Sequence, residues 1–197
     1  MAEVVLFHHA QGLTDGVRAF AGTLREAGHT VHLPDVYEGN VFGTLDEGLD
    51  YARQTGFGVV KDRAVTIGKK LGDGELGNGL VFAGFSLGVM AAQQLAQTSS
   101  AARGALLLHG CIPVSEFGDG WPAGVPVQVH AMEQDPFFIE EDGDLDSAKA
   151  LVAASPDDAE LFLYPGKEHL FTDSSLPAYD EAATTLLLTR VLDFLKK

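Results

Sequence analysis

The stretch that decides the reading is Leu80-Val81-Phe82-Ala83-Gly84-Phe85-Ser86-Leu87-Gly88. An apolar run of strand length hands over, across Gly84–Gly88, to a segment of helical character. This is the G-x-S-x-G pattern in a strand–turn–helix setting, and it makes Ser86 the candidate nucleophile. The spacing has a steric reason. A serine lifted above a sheet edge on a sharp turn sits in strained backbone, and side chains two residues to either side would crowd that turn. Glycine removes the clash. The backbone N–H of Leu87 is then expected to point where an acyl oxygen becomes negative, with the following helix N-terminus adding a favourable dipole.

Working outward, strands alternate with helices. Val4-Val5-Leu6-Phe7-His8 is a continuous apolar run, as a strand covered on both faces requires. Thr14 reads as an N-cap, followed by Val17, Phe20, Ala21 and Leu24 at helical spacing up to Gly28. Thr30–Leu33 reads as a strand closed by Pro34-Asp35. Thr44-Leu45-Asp46-Glu47 is a capping box that opens a helix bearing Leu45, Leu49 and Ala52. Val60, Ala64, Ile67 and Leu71 form a further amphipathic stripe stopped by Gly72. After the central elbow, 105–108, 125–131 and 160–164 read as strands, 145–154 as a helix, and the residues from Tyr179 onward as a long C-terminal helix. The expectation is an α/β fold: a mostly parallel sheet with right-handed crossovers, helices on both faces, and a site beyond the carboxyl ends of the strands.

Composition narrows the function classes. A chain of 197 residues with 46% hydrophobic content suits a single domain spanning 1–197. A formal charge of −15 argues against nucleic acid or an anionic membrane as partner. No apolar run approaches membrane-spanning length, and Met1-Ala2-Glu3-Val4 lacks a basic leader. The lone cysteine, Cys111, excludes an internal disulfide and fits a reducing, cytoplasmic setting. Flanked by Ile112 and Pro113, Cys111 reads as a buried inert thiol. His109, Cys111 and His130 lie near strand ends but lack the spacing of a metal site.

Two further strand ends carry candidates. Met132-Glu133-Gln134-Asp135-Pro136 offers two carboxylates, of which Asp135 is preferred and Glu133 is the alternative. Pro165-Gly166-Lys167-Glu168-His169 offers the base. Neutral His169 would take the Ser86 proton during attack on a carbonyl and return it to the leaving group. Asp135 would hold the imidazole tautomer. A second oxyanion donor is expected from His9-Ala10-Gln11-Gly12, with the N–H supplied by Ala10. His9 and Gln11 are expected to line the mouth, and His8 to be structural. Phe85, Trp121, Phe137, Phe138 and Phe171 are candidates for an apolar pocket wall.

These segments together resemble the dienelactone hydrolase family of α/β-hydrolases, in a serine-nucleophile variant without a cap domain. The likeness covers Val4–Gly12, Pro34-Asp35-Val36-Tyr37, the elbow, Gln134-Asp135 and Tyr164-Pro165-Gly166 with His169-Leu170-Phe171. The resemblance implies hydrolysis of a small ester or lactone through an acyl-enzyme, with no metal or organic cofactor. By position it gives Ser86, Asp135 and His169 the triad roles, and Leu87 and Ala10 the oxyanion hole. Four departures stand out. Ser86 replaces the cysteine of best-known members, Val89 stands in place of a second glycine after the motif, His9 occupies the place of a first-loop glutamate, and Thr172-Asp173 stand where an arginine follows the catalytic histidine. Asp173 would repel the anionic substrates that such an arginine attracts, and Arg63 is the remaining candidate cation. A thioesterase using the same site and an inactive binding module stay open as alternatives. The chain is expected to be a monomer or a homodimer.

Overall fold

Six strands form one sheet in the order β2-β1-β3-β4-β5-β6, and every neighbouring pair is parallel. They are β1 (Glu3–Phe7), β2 (Thr30–His32), β3 (Leu80–Phe85), β4 (Ala102–Leu108), β5 (Val127–Met132) and β6 (Ala159–Tyr164). The helices are α1 (Asp15–Glu26), α2 (Leu45–Thr55), α3 (Phe57–Gly72), α4 (Val89–Thr98), α5 (Asp144–Ala154) and α6 (Glu181–Phe194). The computed structural model describes residues 1–73, 79–140 and 143–197.

Strand alternation divides the core into two layers. Val5, Phe7, Phe82, Leu107 and Val129 face α2, α3, α4 and α5 through Ala52, Val60, Ala64, Leu95 and Leu151. Val4, Leu6, Ala83, Leu106 and Leu108 face α1 and α6 through Val17, Phe20, Leu24, Leu187 and Val191. Because both faces are covered, the inner strands need continuous apolar sequence, and β3 is buried at every residue. Helices on both faces of a parallel sheet are the α/β arrangement that the alternating sequence anticipates.

The caps form as the sequence implies. Thr14 accepts from the Val17 N–H, and Thr44 with Glu47 closes a reciprocal capping box on α2. Some boundaries shift. β4 begins at Ala102, where Arg103 and Gly104 masked the strand, and β5 begins at Val127, because Val125 turns back to Pro122. Gly72 closes the last turn of α3 from within, and Asp73 is the cap. Among the described residues no helix is long and apolar enough to cross a membrane.

The chain runs outward from β1 to β2, then returns to place β3 on the other side of β1. The carboxyl ends of β1 and β3 therefore flank the switch point, where crossovers diverge and leave a crevice. Ser86 follows β3 and the His8–Gly12 loop follows β1.

Candidate active site

Ser86 occupies left-handed backbone (φ 47°) directly after β3, as the first residue of a 3-10 turn that runs into α4. Few non-glycine residues adopt this conformation without a surrounding structure that enforces it. The two flanking glycines explain how it is enforced. A β-carbon on Gly84 would stand 2.7 Å from the Val89 nitrogen, and one on Gly88 would stand 2.8 Å from the carbonyl oxygen of His8. The elbow can therefore press against both its own helix and the end of β1 only because these side chains are missing.

The Ser86 hydroxyl lies 2.8 Å from His169 Nε2, and His169 Nδ1 lies 2.7 Å from Asp135 Oδ2. An ionised carboxylate accepts only, so Nδ1 carries the proton and donates to Asp135. Nε2 is then left to accept from the serine. Asp135 is fully buried, and its second oxygen accepts the Phe137 N–H at 2.9 Å. Asp135 thus both starts a turn before Pro136 and orients the imidazole. Glu133, the alternative acid, is exposed, and only Asp135 reaches the ring.

The β1 loop is anchored from several sides. The His9 carbonyl accepts from His8 Nδ1 at 2.8 Å and from the Gly12 N–H at 3.0 Å. A trans peptide places the next N–H on the opposite side, so Ala10 N–H turns away from these donors. Among the described residues it has no hydrogen-bond partner, although Ala10 is fully buried. The N–H of Leu87 lies in the first turn after Ser86, where backbone donors are unspent. His8 is structural, as expected: its Nε2 accepts from Val36 N–H, and burial lowers its pKa to about 4.

A cleft of about 480 Å³ adjoins His169, with Gln11, Leu45, Pro136, Phe137, Leu176 and Pro177 among its lining residues. Gln11 and Phe137 therefore do line the cleft, and the Phe137 ring packs 4.6 Å from that of His169. The other expected lining residues sit elsewhere. His9 is only 1% exposed and turns inward to Asp173, while Phe85 and Phe171 are buried beneath the site around His109. Phe138 and Trp121 pack with the α2–α5 layer instead of the cleft. Arg63 contacts Val36 and Glu38 on the α3 side and is not among the cleft residues.

The sequence reading missed Asp144. This first residue of α5 accepts the Cys111 N–H at 3.1 Å, and burial raises its pKa to about 6 despite that bond. In sequence it resembles an ordinary acidic first-turn residue. Cys111 is fully buried, with its thiol pushed up to about 12 by burial. His130 bonds Tyr164 and Gln128, and His109 bonds Thr172. Among the described residues no group of three side chains is arranged to hold a metal.

The sequence model of the Dienelactone hydrolase family matches residues 1–197. The chain belongs to the dienelactone hydrolase family. No curated protein matches it in sequence. Among solved structures it is similar to a dienelactone hydrolase-like promiscuous phosphotriesterase from metagenomic libraries, at 20% identity and a TM-score of 0.72, covering 100% of this chain and 86% of the other. A dienelactone hydrolase from Anabaena variabilis aligns at 14% identity and a TM-score of 0.68, covering 98% of this chain and 84% of that one. An α/β-superfamily hydrolase from Xanthomonas campestris aligns at 21% identity and a TM-score of 0.64, covering 99% and 100%. At these identities the likenesses concern the fold, which they share along nearly the whole chain.

Proposed function

We propose that this family member is a serine hydrolase that cleaves small neutral esters or lactones through an acyl-enzyme. The observation that carries the reading is the unbroken relay from the Ser86 hydroxyl through both ring nitrogens of His169 to the buried Asp135 carboxylate. His169 removes the Ser86 proton as Oγ attacks the carbonyl carbon, and the carbonyl oxygen becomes an oxyanion held by Leu87 and Ala10 N–H. Collapse expels the alkoxide, which takes the proton from His169. Water then repeats the sequence to free Ser86 and release the acid. Asp135 keeps Nδ1 protonated throughout and stabilises the imidazolium, which appears twice per turnover.

The choice of neutral substrates rests on charge. The chain carries a formal −15, and among the described cleft residues the only Lys or Arg, Lys167, stands next to Glu168. Such a surface slows anions and offers no fixed partner for a substrate carboxylate. The test is turnover on matched neutral and carboxylated esters by wild type, Ser86→Ala and His169→Ala. The neutral ester is expected to be preferred, with both variants inactive yet folded. Wild-type turnover in either folded variant would remove that residue from the mechanism.

A further inference from the structure

Beside the relay lies a second histidine–carboxylate pair that the reaction scheme leaves unused. His9 Nε2 is 2.8 Å from Asp173 Oδ2, and both side chains are almost completely buried. The same oxygen accepts from the Thr14 hydroxyl at 2.5 Å. The other oxygen accepts from the Ser175 N–H at 2.9 Å and the Ser175 hydroxyl at 2.6 Å. Four donors around one carboxylate hold it ionised, and its pKa is lowered to about 2 by the His9, Ser175 and Thr14 hydrogen bonds against the opposing effect of burial. Gly16 leaves room for this arrangement, since a β-carbon there would overlap the Asp173 carboxylate.

The carboxylate dictates the state of the ring. An ionised Asp173 requires His9 to donate from Nε2, which leaves Nδ1 as an acceptor in neutral imidazole. That acceptor receives the Gln11 N–H at 3.2 Å. The ring thus braces the backbone on the far side of Ala10, while the His9 carbonyl is fixed by His8 and Gly12 on the near side. The Ala10 peptide is held between two anchored neighbours. Asp173 itself lies four residues after His169, on the same loop, and its backbone N–H is tied to the Leu170 carbonyl at 3.0 Å.

We infer that Asp173 and His9 are positioning residues for the oxyanion hole, acting by locking the Ala10 peptide to the loop that carries His169. The inference rests on the hydrolase reading above. A pre-set N–H costs no reorganisation as charge develops, so its loss acts on the transition state far more than on substrate binding. Asp173→Asn replaces one acceptor oxygen with a donor among four donors, and the ring loses its tautomer partner. His9→Gln retains a donor toward Asp173 but removes the acceptor for Gln11 N–H. Ser175→Ala loosens the carboxylate from its far oxygen without touching His9.

The experiment compares kcat, KM and melting temperature for these three variants and wild type on a neutral p-nitrophenyl ester and on the matching thionoester. A sulfur in place of the carbonyl oxygen fits and bonds an oxyanion hole poorly, so the ester-to-thionoester ratio reports the hole itself. Asp173→Asn and His9→Gln are expected to lose about 10²-fold in kcat, the scale of one oxyanion donor. Their KM should stay near wild type and their preference for the ester over the thionoester should fall. Ser175→Ala, which keeps the Ser175 N–H on the far oxygen, should shift kcat and preference in the same direction by a smaller factor. A folded Asp173→Asn or His9→Gln with wild-type kcat and preference overturns the inference while leaving the triad intact. Wild type inactive on every ester would instead overturn the hydrolase reading on which it rests.

Discussion

Gly48, on the first turns of α2, lies directly against the carbonyl of Ala10, so that a β-carbon there would stand 2.6 Å from the Ala10 carbonyl carbon and 3.0 Å from the Gln11 nitrogen. The helix therefore acts as a backstop for the β1 loop. Backbone on backbone leaves little room to relax, because neither side has a flexible end to move. Gly48→Ala is expected to displace the Ala10 peptide and reduce kcat by about 10- to 100-fold, the cost of misplacing a catalytic group by roughly 1 Å. Glycine to alanine within a helix otherwise favours the fold. A Gly48→Ala protein of normal helicity and unchanged kcat would show that the loop tolerates the shift.

Asp135→Asn tests the orienting carboxylate. The amide can offer its NH2 to Nδ1 and stabilise the wrong tautomer, with Nε2 protonated and unable to accept from Ser86. Steady-state kinetics should find kcat lower by about 10³- to 10⁴-fold. Glu133→Gln should be near wild type, since Glu133 is exposed and does not reach the ring.

Asp144 predicts a stabilising substitution. Its pKa is raised from 3.8 to about 6 by burial, so the folded state binds more protons than the unfolded chain across that window. Stability falls as pH rises through it, and the full penalty is present at neutral pH. Asp144→Asn keeps an acceptor for Cys111 N–H and is never charged. Thermal unfolding at pH 7.5 should give a higher melting temperature for the variant, by the equivalent of about 2 kcal/mol, with the gain vanishing near pH 4.

The buried histidines give the opposite slope. Burial lowers the pKa of His8 to about 4 and of His130 to about 3, and holds His109 well below its ordinary value. The unfolded chain takes up these protons near pH 6.5 and the folded chain does not. Stability contributed by three neutral rings is therefore lost as pH drops below about 6.5 and outweighs the opposing effect of Asp144. Urea midpoints measured from pH 8 to pH 4 should decline, and a midpoint rising on acidification would contradict these assignments.

Cys111→Ala should leave turnover unchanged and lower stability modestly. The thiol is fully buried with its pKa near 12, so it supplies no thiolate at neutral pH. Loss of activity with retained folding, read by circular dichroism, would return the thiol to consideration.

Much of the site was legible because its chemistry is local. Gly84, Ser86 and Gly88 lie within one turn, and Asp135 and His169 each follow an apolar run that reads as a strand, so strand order alone predicts their convergence. What resisted reading was long-range pairing. His9 and Asp173 stood out singly, one as a histidine in place of a glutamate and the other as an acid in place of an arginine. Nothing in their spacing says that they meet at 2.8 Å. An isolated histidine next to a loop suggests a site mouth, and an isolated aspartate suggests repulsion of anions. Only as a buried, hydrogen-bonded pair do they satisfy each other and turn inward. Phe85 and Phe171 were ambiguous for a related reason, since aromatics beside catalytic residues serve as floor or wall depending on which layer covers them. Asp144 was hidden by its position at a helix start, where acids are commonplace.

The central claim is that Ser86 is an activated nucleophile, and intact-mass analysis after exposure to a small fluorophosphonate tests it most directly. Wild type should gain the mass of a single phosphonyl adduct, and Ser86→Ala, folded by circular dichroism, should gain none. A folded wild type that stays unlabelled, or an adduct that persists in Ser86→Ala, would contradict the account.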